Sequence, residues 1–136
     1  MSRENVEIVA RLFECVSARD MKSIRHFFAA EGEWRPILTA GGDLERRVYR
    51  GPAGIEEYVA DLDEMFEDTQ LHIETLDAVG AHRVLFTGRV TARGRLSGVP
   101  IDQRIWASYE VRGGQVVAGT AYRSRDEALE AAGLSE

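Results

Sequence analysis

The chain has 136 residues, a formal net charge of −6, one cysteine and three histidines. This length suits a single domain, spanning residues 1–136, with one hydrophobic core. An acidic chain without a concentrated basic stripe is not expected to bind nucleic acid, whose phosphates require clustered positive charge.

Apolar residues at helical spacing predict two helices at the start of the chain. The stripe of the first helix, over residues 3–18, consists of Val6, Val9, Phe13 and Val16. Asp20 is a suitable N-cap for a second, shorter helix that ends near residue 29 or 30. The apolar residues of this second helix are Ile24, Phe27 and Phe28.

The next segment, EGEWRP at positions 31–36, predicts a short edge strand continued by Ile37 and Leu38. Proline has no N–H to donate, so Pro36 is tolerated at a sheet edge but not inside a ladder. Gly51-Pro52 then predicts the start of a third helix, because proline fits the first helical turn. The apolar face of this helix consists of Ile55, Tyr58, Val59, Leu62, Met65 and Phe66.

After the third helix the period of the apolar residues changes from helical to alternating. The alternation predicts four antiparallel strands at 69–79, 82–93, 99–112 and 115–123, with glycines at the turns. Ser124 and Glu127 form a capping-box pattern for a last short helix over residues 126–132. The order of elements predicts an α+β domain in which the helices cover one face of an antiparallel sheet.

The alternation also assigns the two faces of the sheet. The residues expected to face the helices are Val84, Phe86, Gly88, Val90, Ala92, Val99, Ile101, Ile105, Ala107, Tyr109, Val111, Val117, Gly119 and Ala121. The same parity places Arg123 at the rim of this inner face. The outer face is more apolar than a solvated surface requires, which indicates a homodimer interface. The residues predicted for that interface are Leu85, Arg104, Trp106, Val116 and Tyr122.

These elements, in this order, resemble the SnoaL-like, polyketide-cyclase-related group of the nuclear-transport-factor-2-like superfamily. The segments that carry the resemblance are ARD after the first helix, HFF, EWRP, VYRG before the third helix, GGQVV at the last turn, and RDEALEAAGL. The resemblance implies a strongly curved sheet wrapped around three helices, forming a cone with an apolar pocket, and a short C-terminal helix. It also implies a homodimer formed through the outer sheet face. This fold hosts isomerases, cyclases, epoxide hydrolases, dehydratases and binding proteins, so it assigns no reaction by itself.

Two activities of similar proteins are not expected here. By this resemblance, the catalytic base of ketosteroid isomerases aligns with Pro36, and their oxyanion donors align with Leu12 and Ala107. None of these three side chains can accept a proton or donate a hydrogen bond. Limonene-type epoxide hydrolases use an Arg-x-Asp pair, where this chain has Arg89-Val90-Thr91 on the outer face.

Two functional hypotheses remain open. In the first, an apolar pocket of ordinary size, on the order of a few hundred Å³, binds a small cyclic or polyketide-like molecule. The protein is then either an enzyme that transforms this molecule by cofactor-free acid/base chemistry or a protein that only binds it. In the second, the protein is a non-catalytic ligand carrier or a dimerisation module. The predicted pocket residues are Leu12, Val16, Phe28, Trp34, Tyr58, Leu62, Phe86, Ala107, Tyr109 and Arg123.

Cysteine content and hydropathy bear on cofactors and location. The single Cys15 cannot form an internal disulfide, and there is no Cys/His cluster of the kind that binds a metal, so we expect no metal or other cofactor. No apolar run approaches the ~18 residues of a membrane-spanning helix, and no signal peptide is recognisable. We therefore expect a cytoplasmic protein that does not associate with membranes.

Overall fold

The computed structural model describes residues 2–37 and 47–131, which form four helices and six strands. In chain order the elements are α1 (Ser2–Ser17), α2 (Met21–Phe27), β1 (Phe28–Arg35), β2 (Tyr49–Arg50), α3 (Gly51–Met65), β3 (Phe66–Val79), β4 (Arg83–Gly94), β5 (Pro100–Arg112), β6 (Gln115–Tyr122) and α4 (Arg125–Ala131). The predicted α+β class is confirmed. The expected continuation of β1 through Ile37 is wrong, because this strand ends at Arg35 and Ile37 lies in a bend. Leu38 and the last residue of the predicted final helix, at position 132, lie outside the described residues.

The strands form one mixed sheet with the order β2-β1-β6-β5-β4-β3. The predicted antiparallel meander from β3 to β6 is confirmed by the pairings along its whole length. The expectation that the EGEWRP segment is an edge strand is wrong, because β1 pairs with β2 on one side and runs parallel to β6 on the other. Pro36 is compatible with this interior position because the strand ends at Arg35, one residue before it.

Asp20 caps the start of α2 as predicted, whereas α2 and α3 each end before a phenylalanine that was predicted to be helical. The Asp20 carboxylate accepts a hydrogen bond from the Ser23 backbone N–H at 3.2 Å, which confirms the predicted N-cap of α2. Phe28 and Phe66 were assigned to helices by their spacing, but both have extended backbones and begin strands β1 and β3. In each case the chain turns from helix to strand at a single residue, so the strand decides where the ring points.

The core lies between helix α1 and the inner face of the sheet, to which strands β4 and β5 contribute several of the buried residues. Val9 of α1 and Val84 of β4 are both completely buried. Val99 was expected on this inner face, but it is 55% exposed because strand β5 begins only at Pro100.

A bulge in β6 corrects a second assignment. Val116 pairs with Val111 and Ala118 pairs with Glu110, so β6 contains one residue more than β5 across this step. The extra residue interrupts the alternation that placed Val117 inward and Val116 outward. Val116 is fully buried in the core, and it cannot belong to an interface on the outer face.

Candidate functional site

The concave side of the sheet and the helices enclose a cavity of about 160 Å³. Its wall is almost entirely apolar, and every long strand as well as helices α1 and α3 contributes to it. Ser17 and Arg19 line one end of the cavity and are themselves exposed, so the cavity reaches the protein surface beside them. This end is called the mouth below.

Eight of the ten predicted pocket residues line the cavity, namely Leu12, Val16, Phe28, Trp34, Tyr58, Leu62, Phe86 and Tyr109. Ala107 does not line it. This residue is 1% exposed and packs in the core between its sheet partners Phe86 and Ala121. Arg123 does not line it either, because β6 ends at Tyr122 and the arginine is exposed in the following bend. Whether the eight lining residues bind a ligand stays a prediction.

An aromatic cluster forms one wall of the cavity. The rings of Trp34 and Tyr109 are stacked, with centroids 5.8 Å apart and an interplanar angle of 10°. Tyr58 meets Trp34 edge to face at 5.8 Å, and Phe13 meets Tyr109 in the same manner at 5.4 Å. Such pairings fix ring orientations beyond what burial alone does. This wall is therefore a rigid, preformed surface.

Gly119 of β6 allows the stacked pair to form. A β-carbon at this position would lie 2.9 Å from Trp34 Cε3 and 2.9 Å from Tyr109 Cδ1. Both contacts are shorter than van der Waals distance, and both rings are held by other neighbours. A glycine is needed here because the two rings cover the strand backbone directly.

The cavity's polar groups include tyrosine hydroxyls. Burial raises the pKa of Tyr109, and the adjacent Tyr58 raises it further. Burial also raises the pKa of Tyr58, while the hydrogen-bond donor of Trp34 offsets part of that rise. Both hydroxyls therefore remain protonated at neutral pH, and each can donate a hydrogen bond.

Arg19 at the mouth was not predicted from the sequence. It has a left-handed backbone (φ 58°), which directs its side chain across to α3. There its guanidinium donates to both carboxylate oxygens of Asp63, at 2.5 and 3.1 Å, and to the Val16 carbonyl at 2.9 Å. The tripeptide ARD after α1 marked this turn, but nothing in it indicated the conformation or the distant partner.

Thr69 is another lining residue that was not predicted from the sequence. Its hydroxyl is buried and has no hydrogen-bond partner within the described part of the chain. It lies where the pairing of β3 with β4 shifts register, next to Asp68, which has a positive φ of 58°. Parity alone cannot predict such a position, because the irregularity redirects the side chain.

The chemistry that the cavity can perform is limited by its composition. Among residues 2–37 and 47–131, those that line it include no aspartate, glutamate, histidine or cysteine. Histidine and carboxylates are the commonest general acids and bases, and tyrosine, present on this wall as Tyr58 and Tyr109, can also act in that way. The described residues also contain no set of three or more metal-ligating side chains that could hold an ion.

Comparison with known proteins assigns the family. The model of the SnoaL-like domain matches residues 9–119, which is most of the chain. The chain belongs to the SnoaL-like domain family. No functionally curated protein sequence matches this SnoaL-like protein.

Solved structures agree with this assignment at the level of the fold. A protein described as NTF2-like from Burkholderia xenovorans is 25% identical, with 97% of each chain covered and a TM-score of 0.77. TerC, co-crystallised with polyporic acid, is 20% identical over 93% of this chain and 98% of its own, with a TM-score of 0.75. A protein with a ketosteroid isomerase-like fold from Catenulispora acidiphila, in complex with trimethylamine, is 19% identical over 95% of this chain and 94% of its own, with a TM-score of 0.72. This SnoaL-like protein therefore has the nuclear-transport-factor-2-like fold.

The three positions that the resemblance aligned with ketosteroid isomerase chemistry are apolar in the folded protein as well. Pro36 and Leu12 line the cavity, and Ala107 is in the core behind it. Their side chains contain no group that ionises or donates a hydrogen bond.

The outer face of the sheet differs from the cavity. Trp106 and Tyr122 are paired neighbours on β5 and β6, and both are half-buried. The guanidinium of Arg104 lies 5.6 Å from the centre of the Trp106 ring and 3.0 Å from Glu74. Leu85 is half-buried on the same face. Four of the five predicted interface residues thus share this surface, while Val116 is in the core.

Within the described part of the chain, no helix is long and apolar enough to cross a membrane.

Proposed function

We propose that this SnoaL-like protein binds a small, mostly apolar molecule of about one ring and does not transform it by acid/base catalysis. The observation that carries the proposal is the apolar cavity whose described lining residues include neither a carboxylate nor a histidine. The proposal selects the ligand-carrier hypothesis over the catalytic one.

The size of the cavity sets the size of the ligand. Its volume of about 160 Å³ is below the expected range of a few hundred Å³. An apolar cavity of about 150 Å³ holds a single benzene ring. A monocyclic ligand is therefore favoured over a polycyclic one.

Two structural relatives support small-molecule binding by this fold. One was solved in complex with trimethylamine and another was co-crystallised with polyporic acid. At about 20% identity these ligands do not transfer to this chain.

A thermal-shift titration with toluene tests the binding proposal. Ala92 lines the cavity, and Ala92→Phe is expected to fill it. Arg93→Phe is a matched control, because the next residue of β4 is exposed on the opposite face. Toluene should raise the melting temperature of the wild type and of Arg93→Phe but not of Ala92→Phe. No response of the wild type would refute the proposal.

Deuterium exchange tests the absence of catalysis. Acetophenone in D₂O exchanges its methyl protons when a base removes them, and NMR follows the loss of the methyl signal. We expect the same exchange rate with the protein as without it. A rate that rises with protein concentration and disappears in Ala92→Phe would restore the acid/base hypothesis.

We also propose that the outer face forms a homodimer. The support is the partly exposed Trp106–Tyr122 pair surrounded by charges of both signs, which suits contact with a second copy of the same surface. Sedimentation velocity should show a dimer at micromolar concentration for the wild type and a monomer for Trp106→Glu. A wild-type monomer would disprove it.

A cytoplasmic location is proposed as well. It rests on the free thiol of Cys15, since oxidising compartments favour paired cysteines. Fractionation of producing cells checks it, and recovery of the protein outside the cytoplasm would contradict it.

A further inference from the structure

One polar atom of the cavity wall is buried without a hydrogen bond. Thr69 of β3 lines the cavity, and its Oγ1 has no hydrogen-bond partner among the described residues. Within that part of the chain it is the single buried side-chain nitrogen or oxygen in this state. A buried hydroxyl without a partner costs free energy, which a ligand that supplies the partner recovers.

An irregularity in β3 is what directs Thr69 towards the cavity. Phe66 lines the cavity, and strict alternation from it would place Asp68 on the same face and Thr69 on the other. Between residues 67 and 70, however, β3 has two residues, Asp68 and Thr69, opposite the single Ala92 of β4. As a result Asp68 is exposed, with a φ of 58°, and Thr69 lines the cavity. The bulge thus presents an uncharged hydroxyl, rather than a carboxylate, to the cavity.

We infer that the ligand contains one uncharged oxygen, such as that of a ketone or an alcohol, which accepts a hydrogen bond from the Thr69 hydroxyl. This inference rests on the proposed function and adds the chemical class of the ligand. In the ligand-free protein Oγ1 is not accessible to solvent. The hydroxyl therefore reaches the ligand by rotation of the side chain about its Cα–Cβ bond to another staggered position.

The requirement for an uncharged group follows from the charges at the cavity. Arg19 is the single ionised side chain among its described lining residues, and its Nε and Nη2 both donate to Asp63. A carboxylate ligand would have to displace Asp63, and a cationic ligand would find no described carboxylate on the cavity wall. One hydroxyl does not offset the cost of burying an unpaired charge, whereas it satisfies a neutral oxygen.

Two probes of nearly the same shape separate the hydrogen bond from apolar burial. Acetophenone and α-methylstyrene differ only in that the carbonyl oxygen of the first is a methylene group in the second. Calorimetry measures the binding of each to the wild type, Thr69→Val, Thr69→Ser and Thr75→Val. Valine keeps the branched shape of threonine without the hydroxyl, and serine keeps the hydroxyl. Thr75→Val is the matched control, because Thr75 is on the same strand, is exposed and does not line the cavity.

We expect Thr69→Val to weaken acetophenone binding by about 5- to 10-fold and to change α-methylstyrene binding by less than about 2-fold. Thr69→Ser and Thr75→Val should leave the ratio of the two affinities within about 2-fold of the wild type. If Thr69→Val affects both probes equally, or if Thr69→Ser loses the ratio as Thr69→Val does, the inference is refuted while the binding function stands. If neither probe binds the wild type, the proposed function fails and the inference fails with it.

The stability of the ligand-free protein gives a second readout. Thr69→Val removes a buried hydroxyl that has no described partner, so its melting temperature should equal or exceed that of the wild type. A lower melting temperature for Thr69→Val than for Thr69→Ser would show that the hydroxyl is already satisfied without a ligand, and would overturn the inference.

Charged analogues test the requirement for a neutral oxygen. Benzoate and benzylammonium are expected to bind the wild type more weakly than acetophenone does. Tighter binding of either ion would overturn that requirement.

Discussion

The two faces of strands β4 and β5 use the same backbone for opposite purposes. On the inner face, Phe86 and Tyr109 are buried and contact other rings. On the outer face, Arg89 pairs with Asp102 at 3.2 Å, and Arg83 donates to Ser108 at 2.8 Å. Adjacent residues thus differ in the chemistry of their contacts, even where both are buried, as Ser108 and Tyr109 are. Substitutions at inner-face positions of these strands should therefore affect stability and ligand binding more than substitutions at the outer-face positions between them.

The largest difference is expected between aromatic residues of the two faces. Phe13→Ala removes a buried ring that contacts both Phe86 and Tyr109, and should lower the free energy of unfolding by about 3–5 kcal/mol. Trp106→Ala, on the half-exposed outer face, should lower it by about 1 kcal/mol. Urea unfolding at low protein concentration measures both. Equal losses would show that the outer face is as deeply packed as the inner one.

A smaller effect is expected from adding one methyl group on β6. Gly119→Ala places a β-carbon against Trp34 and Tyr109 and should cost about 1–3 kcal/mol by overpacking. Ala118→Val adds volume on the opposite face of the same strand and should change stability by less than about 1 kcal/mol. Denaturant unfolding of the two variants checks this. A neutral Gly119→Ala would mean that the ring pair can move apart.

Alkaline pH should lower the free energy of unfolding through the buried tyrosines of the inner face. The pKa values of Tyr58 and Tyr109 are raised in the folded state, so both stay protonated while the unfolded chain ionises above pH ~10. The unfolded state then binds fewer protons, so stability falls as pH rises beyond that point, by about 1.4 kcal/mol per pH unit for each group. Burial and the Asp61 carboxylate raise the pKa of Tyr49 to about 12, which adds in the same direction.

Unfolding by urea at intervals between pH 9 and 11 measures this loss. Tyr109→Phe should make the decline less steep, because one of the contributing groups is gone. An unchanged slope in that variant would mean that the pKa of Tyr109 is the same in the folded and the unfolded state.

The smallest effect is expected for ion pairs on the outer face. The Arg89 and Asp102 side chains are 48% and 60% exposed, and exposed pairs contribute about 0–1 kcal/mol. A double-mutant cycle with Arg89→Ala and Asp102→Ala should give a coupling energy within that range, decreasing with salt. The cycle is measured at a low protein concentration that keeps the chain monomeric, because the proposed dimer would cover part of this face. A larger, salt-insensitive coupling under those conditions would indicate that the pair is more buried than these exposed fractions indicate.

Much of the fold could be predicted because period and capping are local properties. The spacing of Val9 and Phe13 predicted α1, and the Asp20 cap and the antiparallel meander were also correct. The errors lie at irregularities. The β6 bulge moved Val116 into the core, and the parallel pairing with β6 made β1 an interior strand.

The candidate site was predictable to the extent that parity specifies a face. Trp34, Tyr58 and Tyr109 were placed correctly on the cavity side, whereas Ala107 and Arg123 share that parity without reaching the cavity. Parity gives the side of a strand but neither the depth along it nor the point where the strand ends. Arg19 was missed because its role depends on a left-handed backbone and on a partner 44 residues away.

The sequence by itself determined the helices, the meander, the family resemblance and the apolar character of the inner face, because each depends on residue types at short, regular spacing. The tertiary structure alone decided the volume of the cavity, the stacking of Trp34 on Tyr109 above Gly119, and the capture of Arg19 by Asp63. These features arise where distant segments meet in a curved sheet, and their geometry depends on register, bulges and curvature that no local pattern encodes.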